Sequence, residues 1–90
     1  MITLEAFTHE AQALGFETVL VRDWPANEVV AEHSHPFGVH AIVAAGELWL
    51  EVDGHTQHLR VGDRFALPAN QSHAERYGPQ GATYWVGRRG

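Results

Sequence analysis

The run His33-Ser34-His35-Pro36-Phe37-Gly38-Val39-His40 places three histidines within eight residues, the first two separated by one position. On an extended strand, residues i and i+2 share a face and stand about 6.5–7 Å apart. Two imidazoles can therefore approach one metal ion from a single strand. Around this run the chain reads as strands. Glu28 to His33 leads in, and Pro36 and Gly38 turn the chain. Val39 to Ala44 then reads as a buried strand with His40 and Ile42 on one face.

Further out, Gly46 marks a turn, and Glu47 to Val52 alternates with Leu48, Leu50 and Val52 on one side. Asp53-Gly54 is a strong hairpin signal suited to a type I′ turn, with His55 to Val61 returning. After a turn at Gly62-Asp63 come a short strand at Arg64 to Leu67 and a loop at Pro68 to Gln71. His73 to Tyr77 alternates, Gly78 to Gly81 turns, and Ala82 to Arg88 is a further strand. Upstream, Thr18 to Arg22 is β-rich, and Trp24-Pro25-Ala26-Asn27 breaks it. Residues 3–15 read as partly helical, with Thr8 as N-cap, Gly15 past the end, and Ile2, Leu4, Phe7 and Leu14 as packing contacts. About eight short strands with regular turn signals predict an all-β chain, a small antiparallel sandwich or barrel over residues 16–88 with a short N-terminal helix.

Ninety residues fit one domain, 1–90. A chain this short buries only about 60% of the surface its unfolded form exposes, so a bound metal or a second copy is a natural supplement, and a homodimer is expected. There is no cysteine, so any transition metal must be held by nitrogen and oxygen. The net charge is −5, and the six basic residues, all arginine, are scattered. A nucleic-acid footprint needs a clustered basic face, so nucleic acid is not expected as a partner. No apolar run approaches the roughly 20 residues of a membrane span, and no basic-then-apolar leader opens the chain, so a cytoplasmic location is expected.

The chain resembles a single-domain cupin, a small jelly-roll β-barrel. The first motif of that family, G(x)5HxH(x)3–4E(x)6G, is similar to His33-x-His35 followed by His40 in the glutamate position, with Gly46 six positions on. The second, G(x)5PxG(x)2H(x)3N, is similar to Gly62, Pro68 and His73. Asn70 replaces the inner glycine and can keep its left-handed turn; Asn27 and Tyr77 stand at the leading glycine and closing asparagine. The resemblance spans about Val29 to Tyr77. It implies a divalent transition metal (Zn, Fe, Mn, Ni or Cu) held by His33, His35, His40 and His73 in a barrel pocket. Four neutral imidazoles would leave the ion both positive charges, which favours a small anionic ligand or substrate.

Glu75, two residues after His73 and hence on the same face, is a candidate general base or hydrogen-bond partner of a ligand ring. Phe37, Phe65, Gln71 and Tyr77 are candidate pocket residues. His9, His55 and His58 read as surface residues, and the tryptophans either pack under the helix or mark a subunit interface. The resemblance implies a metal-dependent dioxygenase or a lyase/isomerase, with a non-catalytic sensing or metal-binding module as the alternative.

Overall fold

The protein is described here by a computed structural model covering residues 1–90. It opens with helix α1 (Leu4–Ala13). Thr3 is the N-cap, its hydroxyl accepting the Ala6 N–H at 3.0 Å. Thr8, expected in that role, lies inside the helix and donates its hydroxyl to the Leu4 carbonyl at 2.8 Å, the back-bond open to a mid-helix threonine. Gly15 has φ 92°, as its place beyond the helix end requires.

Six strands follow: β1 (Thr18–Trp24), β2 (Val29–His33), β3 (Gly38–Val52), β4 (His55–Arg60), β5 (Arg64–Leu67) and β6 (His73–Arg89). Every pairing is antiparallel. The eight short strands read from the turn signals become six because Gly46 and the Gly78–Gly81 segment bend β3 and β6 without ending them. Each long strand therefore serves both halves of the roll. In one half, β6 from Ala82 onward lies between β1 and the first part of β3, and β5 covers the far side. In the other, the first part of β6 lies between β2 and the second part of β3, and β4 closes the edge. This is an antiparallel jelly roll.

The bend leaves no room for side chains. A Cβ on Gly46 would lie 2.1 Å from the Gly81 carbonyl oxygen, and one on Gly81 would lie 2.2 Å from that of Trp24. The Asp53-Gly54 hairpin has both residues at positive φ, 51° and 77°, the type I′ signature.

Val39, Ala41 and Val43 face the space between the two halves, and so do Leu48 and Leu50. Val43 and Leu48 are an odd number of positions apart, which a regular strand would place on opposite faces. The irregularities between Val43 and Ala45 and between Gly46 and Leu48 reset the alternation. The helix packs on the outside, where Phe7, Ala11 and Ile42 form a second apolar cluster with Ile2, Phe16, Val19 and Trp85. Leu4 and Leu14, expected as contacts, are 39% and 51% exposed. Of the three tryptophans only Trp85 lies under the helix; Trp24 packs against the interior cluster, and Trp49 faces outward, stacked on His58 at 4.4 Å.

Candidate metal centre

His33 ends β2, His35 follows in the next loop, and His73 begins β6 directly opposite His33. The register thus brings together residues 40 positions apart. Ring centroids are 4.3 Å apart for His33 and His73, 4.9 Å for His33 and His35, and 5.2 Å for His35 and His73. One nitrogen from each ring lies within 4.8 Å of the other two. His73 is buried, and the other two are half-buried.

Two of the rings have a defined tautomer. A carbonyl oxygen only accepts, so His33 Nδ1 donates to Ala31 O at 2.8 Å and His73 Nδ1 donates to Gln71 O at 2.9 Å. In the neutral rings this leaves Nε2 with a bare lone pair. Glu75 Oε1 stands 3.4 Å from His73 Nε2 and 3.7 Å from His33 Nε2, adding a third acceptor to the same spot. Acceptors converging without a donor are satisfied by a cation, so the donor set fits a divalent transition metal held by nitrogen. His35 stacks on Phe37 at 4.9 Å. Burial, then the charges of His33 and His73, hold its pKa below the ordinary 6.5, which keeps the ring neutral and free to ligate.

Glu75 is itself fixed. Tyr77 donates its hydroxyl to Glu75 Oε2, and burial first, then the neighbouring Tyr84 and Glu75, push the Tyr77 pKa up, so the phenol stays protonated. The centre opens on a cavity of about 100 Å³. Its walls include Phe37, Phe65, Val39, Leu67 and Val86, with Trp24, Tyr84, Arg22 and Arg88.

His40, read as a fourth ligand, is not brought to this cluster. It lies between Val39 and Ala41, which face the interior, so its own ring points the other way. There it stacks on Phe7 at 5.7 Å, and its Nε2 contacts Glu10 Oε2 at 2.8 Å. Hydrogen bonds from Arg64 first and His40 second hold the Glu10 pKa down to about 2. The motif allows three or four residues after the second histidine. Three residues lead to Val39, and six more then lead to Gly46. The glutamate position of the first motif is thus Val39, which lines the cavity.

Of the candidate pocket residues, Phe37 and Phe65 line the cavity. Gln71 contributes its carbonyl to His73 and turns its amide toward Asp53 Oδ1 at 3.4 Å, away from the walls. Tyr77 lies beneath, against Glu75. Arg22, Trp24, Tyr84 and Arg88 were not singled out by sequence reasoning. Strand parity is the signal that finds them, since Arg22 shares a face with Leu20 and Trp24, and Arg88 with Tyr84 and Val86.

A family model described as the cupin domain matches residues 19–80. The chain belongs to the cupin family. No curated protein matches this cupin, but solved structures do. An RmlC-like cupin from Shewanella frigidimarina NCIMB 400 superposes with a TM-score of 0.70 at 22% identity, over 79% of this chain and 63% of that one. DMSP lyase DddQ from Ruegeria pomeroyi DSS-3 gives 0.73 at 29% identity, over 80% and 37%. KdgF from Halomonas sp. gives 0.68 at 19% identity, over 80% and 67%. This cupin therefore spans less than two thirds of the length of the first two of these.

Proposed function

We propose that this cupin holds a divalent transition metal through His33, His35 and His73 and acts there on a small organic anion, as a lyase or isomerase. The observation that carries the reading is the meeting of two oriented imidazole lone pairs, a third imidazole and a buried carboxylate at one cavity wall. A bound metal would supply Lewis acidity toward a ligand oxygen. The nearness of Glu75 Oε1 to two of the rings supports a base that takes a proton from carbon next to an acidic group of the ligand, with Tyr77 holding the other carboxylate oxygen in place. Val39, Leu67 and Val86 keep that wall apolar. The likeness to a DMSP lyase supports the lyase branch over oxygenase chemistry.

Metal analysis after loading with zinc, iron(II), manganese or nickel tests the site. We expect one ion per chain. Affinity should fall at least about a hundredfold in His33→Ala and His73→Ala and stay unchanged in His40→Ala. Proton NMR in D2O, following α-hydrogen exchange across a panel of small carboxylic acids, tests the chemistry. Exchange should require metal and vanish in Glu75→Gln while the metal is retained. A full metal complement with neither exchange nor turnover would favour a sensing module instead.

A further inference from the structure

The cavity carries a second cationic feature that the metal centre does not use. Arg22 on β1 and Arg88 on β6 both line it. Arg22 lies opposite Tyr84 in register, and Arg88 follows Tyr84 and Val86 on the same face of β6, so both belong to the inward-facing set. Each is held by a ring. The Arg22 guanidinium sits 5.3 Å from the Trp24 centroid, and that of Arg88 sits 4.5 Å from the Phe37 centroid. Neither makes an ion pair or donates a hydrogen bond within the chain, whereas Arg64 is paired with Glu10 and Arg89 donates to Leu14 O. A guanidinium offers five N–H donors in a planar fork that matches a carboxylate. Two such forks are unspent in a chain whose net charge is −5, on a wall whose only carboxylate is Glu75.

We infer that Arg22 and Arg88 form an anion-recognition rim in this cavity and that the ligand is a small dicarboxylate. The inference builds on the metal reading above for one end of the ligand only. Arg22 and Arg88 are two same-face steps apart on the sheet, about 13–14 Å between Cα atoms, and stack on different rings. They mark separate points of the wall rather than one pincer. Phe37 joins the rim to the histidines, since it contacts both the Arg88 guanidinium and the His35 ring. One acidic group meets the cation held by the histidines, and the second meets a guanidinium as a charge-assisted hydrogen bond. A monoacid leaves one of these centres without a partner, and that asymmetry makes the rim specificity-determining.

Calorimetry tests this with three matched pairs: malonate against propionate, succinate against butyrate, and glutarate against valerate. Each pair exchanges one carboxylate for a methyl group at nearly constant length. In the zinc-loaded protein at least one diacid should bind about tenfold or more tightly than its monoacid partner. Arg22→Gln and Arg88→Gln should each weaken that preference, and the double variant should abolish it, with zinc stoichiometry unchanged. The metal-free protein should bind the same diacid more weakly, with the remaining affinity still lowered by the arginine substitutions. Loss of zinc binding alone would therefore sink the metal reading and leave this one standing. If no diacid outperforms its monoacid, or the preference survives in the double Gln variant, the inference is overturned. Should a variant fail to fold, Arg22→Lys and Arg88→Lys replace it: both keep the charge but lose the fork, and a diacid preference that is unchanged in both overturns the inference.

Discussion

At Val39 the side chain faces the cavity, and at His40 it faces the helix, so one step along β3 sets whether a metal would have three imidazole ligands or four. With valine there, His33, His35 and His73 would leave a divalent ion both of its positive charges, to be balanced by Glu75 nearby or by an incoming anion. Proton competition follows directly. Ligating imidazoles must be neutral, so metal affinity should fall as pH drops through about 6. Dialysis against buffers from pH 8 to 4.5 followed by metal analysis checks this, and zinc retained undiminished at pH 4.5 would contradict it. The pair at 33 and 35 and the partner at 73 were legible in the sequence through motif spacing; the single strand expected to carry both 33 and 35 ends at His33, and His35 reaches the cluster from the loop after it. The fourth position was not, because three or four intervening residues give opposite parities. Only Gly46, at the right distance from Val39, separates the two frames.

Among the elements, β3 and β6 hold the structure together, and both bend at glycine. The sequence marks these glycines correctly as places where direction changes, but it does not say whether pairing stops there. That depends on the partner strand bending at the same point, which Gly81 does beside Gly46. Helix α1 was likewise legible in kind, while its start at Leu4 was obscured by a second threonine with capping character. The bend is testable. Gly46→Ala and Gly81→Ala should each destabilise by about 2–4 kcal/mol in urea unfolding, since positive φ is compounded by contact with backbone that cannot move aside. Gly54→Ala, with φ 77° but open space around it, should cost only about 1 kcal/mol. Equal losses at all three would mean that the close approach at the bend is not what demands glycine.

For the whole molecule, the helix and the barrel are joined by the apolar cluster around Phe7, by a hydrogen bond from Arg89 to the Leu14 carbonyl, and by an ionic latch, Glu10 with His40 and Arg64. The Glu10 pKa is lowered from 4.5 to about 2, so its contribution is complete above pH 4.5 and is lost as pH falls toward 2. His35 acts with the same sign at higher pH. Its folded pKa lies below 6.5, so the unfolded chain takes up that proton first and stability declines as pH falls below 6.5. Thermal melts from pH 8 to 2 should show both declines. Glu10→Gln should remove the lower one at a cost of about 1 kcal/mol at neutral pH, a modest figure because the carboxylate is about a third exposed. A Gln variant with an unchanged acid limb would place the latch elsewhere.

The register between His33 and His73 has a consequence for a chain still being made. The early pair of imidazoles leaves the ribosome long before the strand that completes their set, because β6 is the last strand of the roll. Until β6 threads between its partners, a newborn chain has only two of the three rings of this site, so metal capture there should report that final closure and not precede it.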